Sequence, residues 1–226
     1  MYTAKHYEIP DDRLAELLGR VRAGNLVTGH ATGPKASFVP FHLEERNDER
    51  VLVTHLVRNN PQATEPVTGP ALVIIDIDDA YVSPYWYASN DELPNVPTWD
   101  YITIHITGAI RFTDSPEAAL EAARALMART EPPEALAAVG ETKLLKMARA
   151  IVGVEVSVER IEAKAKASQG RHPDDLRNLV ANLEQQGETE LTRYIREVSI
   201  PHAEERFGTI QRLRATHRLP TTGAEN

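Results

Sequence analysis

The sequence predicts a mainly β fold with added helices (α+β), organised as an antiparallel β-barrel. Three observations carry this expectation. First, YITIHITGAIRF at 101–112 alternates for more than ten residues. Ile102, Ile104, Ile106, Gly108, Ile110 and Phe112 fall on one face, and Thr103, His105, Thr107 and Arg111 on the other. That is the period of a strand with one buried side. Second, VGVEVSVERIE at 152–162 repeats the pattern through Val154, Val156 and Val158. Third, the first eighty or so residues hold short β-branched and aromatic runs separated by turn residues. Connections that short join antiparallel rather than parallel strands.

In chain order, Pro10-Asp11-Asp12 opens a helix with a stripe of Leu14, Leu17, Leu18 and Val21, and Gly24 is its expected stop. Residues 25–30 and 36–44 read as strands joined by a turn containing Gly33-Pro34. RVLVTHLV (50–57) is a third strand. Arg58-Asn59-Asn60-Pro61 ends it, because a residue before proline is pushed out of the helical region. ALVIIDID (71–78) reads as a buried strand and AYVSP (80–84) as its hairpin partner. An irregular, proline-containing loop over 86–98 precedes the best strand.

Ser115-Pro116-Glu117 starts a helix with a serine cap and proline in the first turn, running to about residue 129. A second helix spans about 141–150, before the strand at 152–162. Pro173-Asp174-Asp175 opens a helix striped by Leu176, Leu179, Val180 and Leu183 and ended by Gly187. Residues 188–218 predict one or two further helices interrupted at Pro201, and the tail TTGAEN is expected to fray. The expected organisation is a barrel domain over 1–187 and a helical extension over 188–226.

Composition narrows the function classes. A hydrophobic content of 42% supports a sizeable core. The net charge of −8 disfavours nucleic-acid binding by bulk charge, which needs clustered Lys and Arg. Cysteine is absent, so disulfides, thiolate catalysis and Cys-ligated zinc are excluded. The first residues carry no apolar signal core, and no apolar run approaches the roughly 20 residues of a membrane span. A cytoplasmic protein with no membrane partner is the expectation.

No Walker A, GxGxxG, HExxH or GxSxG motif is present, and the eight histidines show no ligand spacing, so no metal site is expected. Three segments carry chemistry of other kinds. Residues 81–112 hold both tryptophans and four of the seven tyrosines, although aromatics are only 6% of the chain. Such a cluster either stacks a planar ring or forms core or dimer interface. Residues 55–61, HLVRNNP, end a strand in a guanidinium and two amides. That corner presents Arg58 to a phosphate, or is a polar turn in which Asn60 caps the next helix. In AKAKASQGR (163–171), Lys164 and Lys166 point the same way on a strand end, followed by Ser168 and Gln169. This is an anion site or a solvated basic loop, and composition alone favours the loop. The four arginines of 206–218 make a charged surface helix or a basic contact face.

MYTAKHYEI, HLVRNNPQ, YVSPYWY, VPTWDYITIHITG and AIVGVEVSVERIEAKAKASQ occur in the order and spacing of the FMN-binding negative transcriptional regulator family, the PaiB-like proteins. The resemblance covers roughly residues 1–185. It implies an FMN-binding split β-barrel, a homodimer with flavin at the subunit interface, and a regulatory or redox role. It carries His55, Arg58, Asn59, Asn60, Ser83, Trp86, Tyr87, Thr98, Trp99, Tyr101, Lys166, Ser168 and Gln169 over as cofactor-binding candidates. Four positions depart from the family pattern: Asn90 replaces a lysine, Asp100 an asparagine, Ala167 a leucine and Gly170 an asparagine. Other readings are a flavin-dependent oxidoreductase, a regulator touching DNA through Arg206–Arg218, and a relative binding haem through His55 or His105.

Overall fold

The computed structural model describes residues 1–47, 49–91, 94–129, 131–187 and 189–216. The expected frayed tail and Arg218 lie outside the described residues.

Among the described residues, seven strands and eight α-helices follow in the order α1 (Asp11–Arg20), β1 (Ala23–Thr28), β2 (Lys35–Pro40), β3 (His42–Arg46), β4 (Glu49–Val57), α2 (Pro61–Thr64), β5 (Ala71–Val82), β6 (Thr98–Thr113), α3 (Pro116–Met127), α4 (Pro133–Ala137), α5 (Glu141–Ala148), β7 (Ile151–Lys166), α6 (Pro173–Glu184), α7 (Glu190–Tyr194) and α8 (Ile200–Thr216). The chain divides into two compact units. The larger comprises residues 1–2, 9–77 and 103–163, and the smaller residues 3–8, 78–102 and 164–226.

The larger unit contains the barrel sheet, in strand order β2-β1-β5-β6-β7-β4-β3. The β1–β2, β1–β5, β3–β4 and β4–β7 pairings are antiparallel. The two edge strands, β2 and β3, are consecutive in sequence with only Phe41 between them. One residue cannot span a flat seven-stranded sheet, because neighbouring strands are about 4.8 Å apart. The sheet therefore curls until its edges meet, and Thr54 of β4 donates to the Pro40 carbonyl at 2.5 Å beside that junction. Phe41 is buried at the corner, with Leu26, Leu52, Val73, Ile75, Ile104, Ile106, Val154 and Val156 forming the interior.

One buried polar chain inside this unit is built from His30, Thr28 and Gln62. His30 Nδ1 lies 3.1 Å from the Pro66 carbonyl, which can only accept. Nδ1 therefore carries the proton, and Nε2 accepts from Thr28 Oγ1 at 2.8 Å. Gln62 then donates to Thr28 Oγ1 at 2.9 Å and to the Leu26 carbonyl at 3.0 Å. This chain of bonds fastens α2 to the β1–β2 hairpin.

The smaller unit holds the chain's continuation beyond Ile77 of β5, the start of β6 and the end of β7, with α6, α7 and α8. Asp175, in the first turn of α6, is buried and accepts from Ser89 N at 2.8 Å and Ser89 Oγ at 2.9 Å. Asp78 accepts from Leu191 N at 2.7 Å, fixing the start of α7. Gly187, at φ +120°, takes the left-handed conformation that ends α6's excursion.

Four local expectations are corrected. The segment 80–84 is not a hairpin partner of the preceding strand, because β5 runs unbroken to Val82. The segment 36–44 is two strands turning at Phe41. Gly24 does not stop α1, which ends at Arg20; it is the second residue of β1, where an added Cβ would meet the Ile74 carbonyl at 2.7 Å. Pro201 does not break the last helix. The lost N–H of proline is absorbed by a wider π turn over Ile195–Ser199, in which Ile200 N donates to the Ile195 carbonyl.

Candidate functional site

The sequence candidates fall in both units. His55, Arg58, Asn59 and Asn60 belong to the larger one, and the other nine to the smaller. In the larger unit, Arg58 is held by its own chain. Its Nε donates to the Arg149 carbonyl at 2.7 Å, its Nη2 to the Ile151 carbonyl at 3.0 Å, and its Nη1 pairs with Asp114. Asn60 caps α2 by accepting from Gln62 N at 2.9 Å, and donates to Ser37 Oγ at 3.0 Å. Asn59 is exposed. Burial lowers the His55 pKa and leaves its Nδ1 without a partner among the described residues. His105, also in the larger unit, is pushed down by burial too.

In the smaller unit, the end of β7 and the turn after it meet the start of β6 around a cavity of about 340 Å³. Lys166, the last residue of β7, reaches across to β6. Its ammonium donates to Thr98 Oγ1 at 2.6 Å, the Trp99 carbonyl at 2.5 Å and Asp100 Oδ1 at 3.2 Å. Asp100 is fully buried, and its second oxygen accepts from Ser168 Oγ at 2.5 Å. Ser168 Oγ is also 3.2 Å from the hydroxyl of Tyr87, which is buried at the end of the SPYWY turn.

The turn holding Ser168 is shaped by Gln169. Its buried amide accepts from Ala167 N at 2.9 Å and donates to the Ala165 carbonyl at 2.6 Å. That closure leaves Ser168 at φ +55°, a left-handed conformation uncommon for a residue with a Cβ. Arg171 completes the wall. Its guanidinium lies 4.3 Å from the centroid of the Tyr87 ring and donates to Asn95. Tyr7, from the N-terminal segment, also lines the cavity. Lys164 stands between the rings of Tyr7 and Tyr101, at 5.5 and 5.4 Å from their centroids.

The electrostatics follow from burial. Desolvation raises the Asp100 pKa above the usual carboxylate value, outweighing the Ser168 hydrogen bond and the Lys166 charge. Burial likewise raises the Tyr87 phenol. The formal charge of the lining is +1, from Lys166 and Arg171 against Asp100.

The remaining candidates are placed nearby. Tyr81 packs edge-on to Trp86 and to Trp99, with centroids 6.4 and 6.1 Å apart. Trp99 is about half exposed, at 52%, and its Nε1 donates to Asp79 at 2.6 Å. Ser83 caps the turn by accepting from Tyr85 N at 3.3 Å. The structure thus brings Tyr87, Thr98, Lys166, Ser168 and Gln169 to one cavity, and sets Trp86 and Trp99 in an aromatic cluster. Tyr7, Asp100 and Arg171 line the cavity and were not among the sequence candidates. Asn90, where the family pattern has lysine, accepts from Asn95 N at 2.9 Å and so shapes the loop that bonds Arg171.

A curled seven-stranded antiparallel sheet with appended helices is the split barrel of flavin-binding proteins, and the chain matches that class by sequence as well. It belongs to the family described as "Putative FMN-binding domain", which matches residues 1–160. It is an FMN-binding, PaiB-like protein. It is 26% identical over 189 residues to the protease synthase and sporulation protein PAI 2 of Bacillus subtilis (strain 168), covering 81% of this chain and 89% of that protein. It is 29% identical over 133 residues to the uncharacterized protein YKL070W of Saccharomyces cerevisiae, covering 49% and 78%. The fold is similar to that of the FAD and heme binding protein from Mycobacterium smegmatis, with a TM-score of 0.52 at 17% identity over 72% of this chain and 74% of that one. Among the described residues, no helix is long and apolar enough to cross a membrane.

The donor set of the cavity fits FMN. The cofactor joins a flat heterocycle to a phosphate, and the cavity joins two phenol rings to a net positive wall.

Proposed function

We propose that FMN seats in the cavity of the smaller unit, and that the protein acts as a cytoplasmic flavin-binding homodimer with a regulatory or redox role. Arg171 and Lys166 supply positive charge for the phosphate, Ser168 a neutral donor, and Tyr7 and Tyr87 flat faces for the ring system. The bound flavin would supply electron and hydride chemistry, while these residues bind and orient it. The observation that carries this reading is the pairing of the Arg171 guanidinium with the Tyr87 ring in a cavity also lined by Lys166, Ser168 and Asp100. The exposed pair Tyr81 and Trp99, with Tyr85 and Val96 also exposed in the same unit, supports the homodimer, since a second copy would cover such side chains.

Titration of the purified protein with FMN, followed by flavin fluorescence, tests the site. Arg171→Ala removes a charge-assisted contact of about 1.5–3 kcal/mol, so the affinity falls by about tenfold to a hundredfold. Light scattering on the same sample gives the mass and the flavin stoichiometry per chain. An Arg171→Ala protein that binds FMN as tightly as the wild type would place the flavin elsewhere.

A further inference from the structure

We propose that this cavity takes up a proton together with its anionic ligand, and that the proton resides on the carboxyl of Asp100. The inference rests on the preceding reading that the ligand is FMN, and it concerns a residue at which this chain departs from the family's pattern.

Asp100 is inaccessible to solvent, and its two oxygens are turned to groups that also line the cavity. Oδ2 receives the Ser168 hydroxyl at 2.5 Å, and Oδ1 the Lys166 ammonium at 3.2 Å. While the carboxylate is ionised, it neutralises Lys166 and holds the Ser168 proton pointing inward, away from a ligand. A phosphate entering the cavity then meets a net charge of only +1 and a serine that can only accept.

Protonation changes both. The bond between Asp100 and Ser168 can reverse, so that the new carboxylic proton is donated to Ser168 Oγ and the serine hydroxyl turns toward the ligand. The formal charge of the lining rises from +1 to +2. The proton comes from solvent, and no bond between heavy atoms forms or breaks.

The cations and the Ser168 hydroxyl facing Asp100 favour its carboxylate, and burial outweighs them. Lys166 from β7 and Arg171 from the following turn are the cations, and Tyr87 and Tyr7 contribute neutral phenols. Asp100 is the only carboxylate among the described residues lining the cavity. An added ligand anion therefore bears chiefly on Asp100, whose carboxyl burial has already raised above its ordinary value. Since the ligand raises the Asp100 pKa further, the ligand must bind more tightly to the protonated form.

Asp100 acts here as a positioning residue. Its test is calorimetric titration of FMN into the full-length wild type and Asp100→Asn, from about pH 5 to about pH 8, each in two buffers of different ionisation enthalpy. For the wild type, we expect uptake of up to one proton per FMN. The ratio of wild-type to variant Kd should rise with pH by up to about tenfold per unit across the window between the free and bound Asp100 values. Titration of the FMN phosphate itself, near pH 6, cancels in that ratio. Above about pH 7, where the FMN phosphate is already ionised, proton uptake read from the buffer dependence of the wild type needs no variant to fold.

If both proteins bind FMN and the ratio is flat, with no wild-type proton uptake beyond that of the variant, the inference is overturned while the flavin site stands. If Arg171→Ala leaves the affinity unchanged, the assignment of the site is overturned and this inference with it.

Discussion

Gly108→Ala is expected to destabilise the protein by about 3 kcal/mol or more, a large share of the total stability of an ordinary domain. Gly108 lies within β6, in the middle of the sheet order, and β7 passes unusually close. A Cβ added to Gly108 would stand 1.9 Å from the Ser157 carbonyl oxygen and 2.8 Å from its carbon, with Val156 Cγ1 at 3.2 Å. The first two are backbone atoms in a central strand, so they cannot swing aside as a flexible side chain does. The pairing must separate locally, and the ladder bonds on either side lengthen with it. Gly19→Ala is the matched control. Gly19 is exposed in α1, and a methyl group added there would meet nothing within 4 Å. Alanine at that position should add about 0.5–1 kcal/mol through helix propensity. Urea midpoints of the two variants measure the contrast, and a Gly108→Ala midpoint close to wild type would mean that β6 and β7 are farther apart than the structure places them.

The close approach at Gly108 also shows what a sequence can and cannot disclose. The alternating pattern of β6 is plain because every second residue meets the core: Ile102, Ile104 and Ile106 are wholly buried. Glycine at a later position on that face is legible as a member of the face but not as a contact, since nothing local names the strand it touches. β5 departs from its expected length for a different reason. Aspartates are poor strand formers, so Asp76, Asp78 and Asp79 read as the end of a strand. In the fold each has a partner remote in sequence: Thr103 Oγ1 donates to Asp76, Leu191 N to Asp78 and the Trp99 indole to Asp79. Tertiary hydrogen bonds override the local preference, and they cannot be foreseen from the residues at 76–79.

The site is legible in the same uneven way. The run 163–171 reads as either an anion site or a solvated loop, and the deciding facts are not local. They are the Tyr87 ring beneath Arg171 and the buried Asp100 beside Lys166. Asp100 stands out in the sequence as a departure from the family's asparagine, but only burial turns that departure into chemistry. Tyr7 stands within the MYTAKHYEI motif, and its place in the wall depends on the bridge between Glu8 and Lys164. Gln169 carries no sign in sequence that its amide closes its own turn.

Lys166→Met should be the most damaging change at the site itself, costing about 3 kcal/mol, because it leaves the buried Asp100 carboxylate with the Ser168 hydroxyl as its remaining partner. The figure is set at the low end for a broken buried pair, since the Lys166 side chain is about a quarter exposed and water can partly replace it. If the loss comes from the stranded charge, Asp100→Asn in the same chain removes its cause. The double variant should then recover more than half of the stability, with a coupling of about 1.5–3 kcal/mol between the two positions. If the loss comes instead from the packing of the lysine stem against Thr98 and Trp99, the two changes will add. The pH dependence separates these cases again. Asp100 has a folded pKa raised above its unfolded value, and removal of Lys166 raises it further. A group shifted in that direction contributes most below its unfolded pKa, and the contribution is lost as pH rises through the folded one. The deficit of Lys166→Met measured by urea unfolding should therefore be largest near neutral pH and shrink as the pH approaches the ordinary carboxylate range. A deficit that stays constant from neutral to acid pH would assign Lys166 to packing and leave Asp100 without its electrostatic role.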